Sequence, residues 1–299
     1  MIRELQASDT EPLVKMIGNG IAWRAEEIAA MLKNATGYVC EKAGQLQACA
    51  IYDLTSFGEE GTAEIHLYTH PDNRKQGIGS QLFDKLWGEL LDKKPVAAAT
   101  TYRVDEQRSG DFFTKRGFAP IWGHHYMKHN GSIGPESQLV VRKFTEQDLN
   151  LYIQSQSDAY YEVRKGIDLK PYRLTEYQEA TMASWKQWIL NDMREDIYMF
   201  YHQDEFVGSL ILTPHGEVYD VFVDPRHQGK GFGKQLIHFF VNRTLEKGLQ
   251  PHLITGTHNQ PAISLYEGTG FHVYQTTTTC KRVLAQEDEI PSQKNAAGT

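Results

Sequence analysis

The chain contains the stretch His70-Pro-Asp-Asn-Arg-Lys-Gln-Gly-Ile-Gly-Ser-Gln-Leu82, and it contains a second version as Val223-Asp-Pro-Arg-His-Gln-Gly-Lys-Gly-Phe-Gly-Lys-Gln-Leu236. Each version follows a run of β-branched and aromatic residues and leads into an amphipathic segment. This order predicts a strand, a glycine-rich loop and the start of a helix. In that geometry, backbone N–H groups and the positive end of the helix dipole face a phosphate. The two versions therefore predict two related domains, each with a candidate anion site.

A second pair of similar segments stands downstream, at 112–118 and at 265–271. They read Phe-Phe-Thr-Lys-Arg-Gly-Phe and Leu-Tyr-Glu-Gly-Thr-Gly-Phe, and each stands at nearly the same distance behind its glycine loop. Two elements in the same order and at equal spacing indicate duplication of a whole domain and not a short repeat.

The composition is typical of a globular protein of two domains, with 299 residues, 40% hydrophobic and 23% charged. The net charge of −7 argues against nucleic acid as the main partner, because phosphate binding needs a basic face. The three cysteines form no C-x-x-C pair, which favours a reducing compartment. Neither a signal peptide nor an apolar run of membrane-spanning length is apparent, so we expect a cytoplasmic protein with no membrane partner.

The domain boundaries follow from the repeat and from composition. We expect the first domain at 1–130, a linker at 131–137, the second domain at 138–285 and a polar, disordered tail at 286–299. Each domain opens with a strand-like run, and Asp9 and Asp148 then stand as candidates to cap the following helix.

The second half carries an aromatic insert between its first and middle strands, at 153–196. One interpretation is packing in the core and between domains; the other is the wall of a substrate pocket, since aromatic side chains often line small-molecule sites. The aromatic residues concerned are Tyr160, Tyr161, Tyr172, Tyr177, Trp185 and Trp188.

The glycine loops match neither a Walker loop nor a dinucleotide fingerprint. They match Gln/Arg-x-x-Gly-x-Gly, and in this the chain resembles the GNAT acyltransferases, whose loop holds the pyrophosphate of acetyl-CoA. The alternative is a tight turn whose glycines only supply a positive φ. The resemblance implies acetyl-CoA binding by Arg74, Gly77 and Gly79 in the first half, and by Val221, Phe222, Val223, Gln228, Gly229, Lys230, Gly231, Phe232, Gly233, Lys234 and Asn259 in the second.

The downstream segment of the second half is similar to the family's Asn-x-x-Ala-x-x-x-Tyr-x-x-x-Gly-Phe. By resemblance, Asn259 bonds to the pantetheine arm and Tyr266 lies beside the thioester sulfur. The first half has Glu106 and Phe113 at the corresponding positions. Phenylalanine has no proton to donate, so the first domain lacks the family's acid.

Acyl transfer to an amine needs a neutral amine, a donor for the oxyanion and a proton for the departing thiolate. We expect the oxyanion donor to be a backbone N–H of the strand 221–223 and the acid to be Tyr266. For the base, Glu217 stands where some family members carry a glutamate. Asp220 is the alternative, on what regular alternation predicts to be the opposite strand face, and a chain of water molecules is a third possibility.

We conclude from the sequence that this is a mixed α/β (α+β) protein of two GNAT-like domains, each a mostly antiparallel sheet with helices on both faces. The resemblance implies an acetyl-CoA-dependent N-acetyltransferase whose C-terminal domain acts on a primary amine of a small molecule, while the N-terminal domain is degenerate. Alternatives are transfer to a protein amine and a non-catalytic CoA-binding or scaffolding role. His124, His125 and His129 lack ligand partners at metal-site spacing, so we expect no metal.

Overall fold

The computed structural model describes residues 1–18, 25–54, 61–104 and 108–284. The described chain divides into two compact units. The first comprises residues 1–121 together with the chain from residue 277 onward, and the second comprises residues 122–276. The expected tail, 286–299, lies outside the described residues.

The first unit is a mixed sheet with helices on both faces. Its elements are β1 (Ile2–Glu4), α1 (Thr10–Gly18), α2 (Ala25–Asn34), β2 (Thr36–Lys42), β3 (Gln45–Asp53), β4 (Thr62–Thr69), α3 (Ile78–Asp92), β5 (Ala97–Arg103) and α4 (Arg108–Thr114). The strands are ordered β1-β2-β3-β4-β5, and residues 277–283 pair with the outer side of β5. Only β4 and β5 pair in parallel among these strands. α3 packs against Ala50 and Ile65 on one face, while α1 and α2 pack against Val39 and Ile51 on the other.

The second unit repeats this architecture. Its elements are β6 (Ala119–His129, from residue 122), β7 (Val140–Lys143), α5 (Leu149–Gly166), α6 (Glu179–Trp188), β8 (Ile197–His202), β9 (Glu205–Leu212), β10 (Glu217–Val223), α7 (Phe232–Glu246), β11 (His252–Gly256), α8 (Gln260–Glu267) and β12 (Phe271–Val283, to residue 276). The order β6-β11-β10-β9-β8-β7 has one parallel pair, β10 with β11. α7 packs against Phe200 and Leu210, and α5 packs against Met199 and Ile211 on the other face. The predicted fold class is confirmed in both units.

The units differ from the expected domains at two places. Residues 277–283 pair antiparallel with β5 and so belong to the first unit, whereas residues 124–128 pair with β11 and belong to the second. Pairing between distant strands leaves no local mark in a sequence, which is why the boundaries at 130 and 285 did not show it. Residues 131–137, expected as a linker, form neither helix nor strand, and Gly134 exchanges two hydrogen bonds with Asn242 of α7.

The predicted helix caps are also duplicated in the structure. Asp9 closes a capping box at the start of the first unit and Asp148 closes one in the second. Each carboxylate accepts two hydrogen bonds from an arginine six residues earlier, Arg3 or Arg142, and these bonds hold its pKa below the ordinary value. The same sequence spacing thus builds the same entry to the first long helix twice.

Candidate active site

The two glycine loops have the same backbone conformation. Gly77 (φ 80°) and Gly231 (φ 82°) are the N-cap residues of α3 and α7, and both lie in the left-handed region that favours glycine. No side chain caps either helix. The N–H groups of the first helical turn therefore remain available to an anion.

The glutamine and arginine that open the loop pattern bind the preceding strand. Gln228 donates from Nε2 to the carbonyl of Val223, and Arg74 donates from Nε to the carbonyl of Thr69, each at 3.0 Å. This position therefore anchors the loop to the end of its strand in both units. Behind the second loop, Gly233 lets α7 approach α8, because a Cβ on Gly233 would lie 3.2 Å from Leu265 Cδ2.

A β-bulge interrupts β10 in front of the second loop. Against β9, Val218 pairs with Leu212 and Asp220 pairs with Ile211, so Tyr219 has no partner in the register. The parallel pairing of β10 with β11 covers Glu217 and Val218 and does not continue through the bulge. The two strands therefore part at Tyr219 and leave an edge of β10 open.

Backbone donors occupy this open edge. Asp224 donates its N–H to the carbonyl of Val207 on β9. Because N–H directions alternate along an antiparallel pair, Phe222 also faces β9, while the N–H groups of Val221 and Val223 point away from it. These two residues lie within the strand segment that the sequence predicted as the source of an oxyanion donor.

A pocket of about 580 Å³ lies where the strands part. It is lined by α5, α6, the parted strands and the start of α8, and it includes Asp220, Asn259 and Tyr266. Trp185, Trp188 and Tyr160 of the aromatic insert also line it. For these three residues the pocket-wall interpretation of the insert is confirmed, although they also pack against the core of the α5 face.

Asp220 is a buried carboxyl group held by side chains of α5. Tyr152 donates its hydroxyl to Oδ2 at 2.8 Å, Gln156 donates to the same oxygen, and the Tyr160 hydroxyl donates to Oδ1. Burial raises the pKa of Asp220, and the three donors oppose that rise. The pocket thus contains a carboxyl group that takes up a proton more readily than an exposed aspartate.

Tyr266 lies in α8 and is 7% exposed. Its ring packs on Phe271, and its side chain lines the pocket. Burial raises the pKa of Tyr266 above its ordinary value, and the nearby Asp220 carboxylate adds to the rise. The phenol is therefore fully protonated at neutral pH.

Comparison with known proteins identifies this arrangement. The family model described as "Acetyltransferase (GNAT) family" matches residues 159–271, and one described as "Acetyltransferase (GNAT) domain" matches residues 33–120. The chain belongs to the GNAT acetyltransferase family. Both halves match, so the predicted tandem arrangement of two GNAT domains is confirmed.

Relatives along most of the chain are acetyltransferases. The mycothiol acetyltransferase of Thermobifida fusca is 25% identical over 273 residues, covering 82% of both proteins. That of Rothia mucilaginosa is 27% identical over 292 residues, covering 84% of this chain and 79% of the relative. A GCN5-related N-acetyltransferase from Sphaerobacter thermophilus shares the fold, with a TM-score of 0.72, 17% identity and 95% coverage of both chains. This chain is accordingly a GNAT N-acetyltransferase that uses acetyl-CoA as co-substrate.

Asn259 and Glu217 occupy positions that the sequence did not fully describe. Asn259 lines the pocket but also caps α8, with its Oδ1 accepting the N–H of Ala262 at 3.3 Å. Glu217 is not among the pocket-lining residues, and its Oε2 lies 4.0 Å from His252 Nε2. The expectation that Glu217 and Asp220 face opposite sides was wrong, because the bulge at Tyr219 adds one residue to the alternation.

The first unit keeps the loop but not the opening. β4 and β5 pair through Ile65 and Thr100, two residues that correspond to Tyr219 and Ile254, and β4 pairs with β3 without a register shift. Phe113 is buried in an aromatic cluster with Phe83, Phe112, Phe118 and Tyr102. Glu106 lies outside the described residues.

Several pocket residues were missed by the sequence reasoning. Gln156, Arg164, His124 and His258 line the pocket, and burial lowers the pKa of both histidines, so their imidazoles are neutral at pH 7. Gln156 and Arg164 lie in α5 at helical spacing from Tyr160, which is the signal that could have found them. Within the described residues, no group of three or more His, Cys, Asp or Glu could hold a metal, and no helix is long and apolar enough to cross a membrane.

Proposed function

We propose that the second unit transfers the acetyl group of acetyl-CoA to a primary amine of a small molecule, and that the first unit does not catalyse the transfer. The observation that carries this proposal is the bulge at Tyr219. It parts β10 from β11 beside a pocket that holds both Asp220 and Tyr266. At about 580 Å³, the pocket has the size of small-molecule sites. Relatives named for acetylation of a small molecule, mycothiol, support the same acceptor class.

The loop and the strand edge position acetyl-CoA in this proposal. A Cβ on Gly231 would meet nothing within 4 Å, so the pyrophosphate has room above the uncapped start of α7. The N–H groups of Val221 and Val223 polarise the thioester carbonyl and stabilise the oxyanion of the tetrahedral intermediate. As this intermediate collapses, the C–S bond breaks and Tyr266 gives its proton to the thiolate.

Asp220 takes up the proton of the acceptor amine through Tyr160 in this mechanism. The two oxygens of Asp220 already accept three side-chain donors, and of these the Tyr160 hydroxyl lines the pocket. As the amine attacks, its proton passes to the Tyr160 oxygen and the Tyr160 proton passes to Oδ1 of Asp220. The raised pKa of Asp220 brings it closer to the working pH of a general base. Glu217, the base favoured by spacing alone, lies outside the pocket lining.

Replacement of Tyr266 by phenylalanine tests the proposed function directly. Phenylalanine fills nearly the same volume, so we expect Tyr266→Phe to fold and to bind acetyl-CoA normally. The kcat for release of CoA with an amine acceptor should fall by about a hundredfold to ten-thousandfold, because the acid acts only as charge develops on sulfur.

Tyr198→Phe is the matched control for this experiment. Tyr198 packs against the same core as Tyr266 but is not among the pocket-lining residues. If both variants retain the wild-type kcat, Tyr266 is a packing residue and the second unit uses another acid. If the wild-type protein binds acetyl-CoA but acetylates no amine in a broad panel, the proposal gives way to a non-catalytic CoA-binding role.

A further inference from the structure

Gln156 carries a buried hydrogen-bond acceptor without a donor. The residue is 8% exposed and lines the pocket. Its Nε2 donates to Asp220 Oδ2 and also lies 3.5 Å from the Tyr152 hydroxyl. Its Oε1 has no partner among the described residues. A buried acceptor left without a donor is costly, and such groups in native proteins require an explanation.

The orientation of this amide is fixed by its neighbour. Rotation of the Gln156 amide by 180° would set Oε1 against the Asp220 carboxylate, where two acceptors would repel each other. The amide nitrogen must therefore face Asp220, and Oε1 must face elsewhere. Since the side chain lines the pocket, a donor on a bound molecule can reach Oε1.

The outer part of the pocket is apolar. Its walls there come from the second half of α5, the segment that follows it, and α6. The side chains are Val163, Ile167, Leu169, Leu174, Trp185 and Trp188. Arg164 lies among them, but its guanidinium is engaged, donating to the carbonyl of Pro171 and to the Tyr177 hydroxyl. A body with many hydroxyl groups would leave them without partners against these walls.

We propose that Gln156 Oε1 accepts a hydrogen bond from the acceptor's amine and that the acceptor is a primary amine on an apolar or aromatic body. This inference rests on the proposed function and specifies its substrate class. A neutral primary amine has two N–H groups, and the pocket offers two acceptors for them, Gln156 Oε1 and the Tyr160 oxygen. The lone pair of the nitrogen then remains free to attack the thioester carbonyl.

Binding of amines to the CoA-bound protein tests the inference without relying on turnover. By calorimetry, 2-phenylethylamine should bind wild type at least about tenfold more tightly than glucosamine does. Gln156→Met keeps the length of the side chain and removes its polar atoms. It should weaken binding of 2-phenylethylamine by about tenfold or more.

Tyr152→Phe is the matched control. It also removes one donor from Asp220 Oδ2, but Tyr152 is not among the pocket-lining residues. Any effect that acts through Asp220 is therefore common to both variants, and the difference between them isolates Oε1. Equal losses of amine affinity in the two variants would overturn the role of Gln156. Tighter binding of glucosamine than of 2-phenylethylamine would overturn the apolar body.

A probe of the wild-type protein guards against a Gln156→Met variant that fails to fold. The trimethylammonium analogue of 2-phenylethylamine has no N–H, so it should bind at least about tenfold more weakly than the primary amine. Equal or tighter binding of this analogue would contradict the inference. Amine binding without acetyl transfer would contradict the proposed function alone. Transfer to glucosamine but not to 2-phenylethylamine would contradict the inference and leave the proposed function intact.

Discussion

Asp220 combines the two requirements of a buried general base. Burial favours its protonated form, and hydrogen bonds from α5 keep it in one orientation. Because its folded-state pKa is raised above the ordinary value of 3.8, the folded protein holds this proton more tightly than the unfolded chain does. Ionisation of Asp220 therefore lowers stability as the pH rises through its folded-state pKa, and the loss persists at neutral pH.

Asp220→Asn should separate stability from activity. At pH 7.5 we expect its Tm to equal or exceed that of wild type, because the variant removes a buried charge. The difference should shrink in acid, where wild-type Asp220 becomes protonated. The kcat should fall by about a hundredfold or more through loss of the base. Thermal unfolding from pH 4 to 8 and steady-state kinetics provide the measurements. A variant with a lower Tm at pH 7.5 and full activity would refute this role.

At this scale the sequence predicted some residues and not others. Tyr266 and Asn259 follow from a motif with fixed spacing, and both line the pocket. The choice between Glu217 and Asp220 depended on the direction of each side chain, which regular alternation along a strand predicts only when no residue is inserted. Gln156 could not be assigned, because its role depends on contact with Asp220, 64 positions away.

The bulge in β10 is the structural element that distinguishes the two units. β4 and β10 derive from the same repeat, yet β4 continues its pairing through Ile65 where β10 has the unpaired Tyr219. An added residue in one strand bends it and disrupts the local ladder. The open edge with its N–H donors follows from that one residue.

Deletion of Tyr219 should close this opening. Without it, Val218 and Asp220 become neighbours with the partners Leu212 and Ile211 that they already have. We therefore expect the protein to fold with a continuous β10 but to lose about a hundredfold or more in kcat, the scale for loss of an oxyanion donor.

Tyr219→Ala is the control, because it keeps the bulge and removes only the ring that contacts Trp188. It should retain far more activity than the deletion variant. Amide hydrogen exchange would verify the extended pairing. Full turnover by a folded deletion variant would show that the parted strands are not needed.

The succession of strand, glycine loop and helix was predictable because its signals are local: β-branched runs, glycines and apolar periodicity. The bulge was not, since Tyr219 fits a regular strand as well as Ile65 does. Strand partners were equally hidden, as residues 277–283 and 124–128 show, because neither segment differs in composition from a strand that pairs within its own half.

The whole molecule carries two copies of one fold with different fates. Both units keep the left-handed glycine before an uncapped helix, and both anchor the loop through the residue at position 74 or 228. Only the second has the unpaired bulge residue and the phenol of Tyr266 at the corresponding positions, while the first has Ile65 and Phe113. Duplication followed by loss of one set of reacting groups accounts for this pattern.

The kinetics of three glycine variants test most directly whether the second unit carries the reaction. Gly77, Gly231 and Gly248 have φ values of 80°, 82° and 71°, and a Cβ on each would meet no atom closer than 3.8 Å. Valine therefore imposes similar backbone strain at all three, and Gly248→Val reports strain alone. We predict that Gly231→Val lowers kcat/KM for acetyl-CoA by about tenfold or more, whereas Gly77→Val and Gly248→Val retain turnover per folded molecule. Loss of turnover in Gly77→Val with full turnover in Gly231→Val would contradict the account and assign the reaction to the first unit.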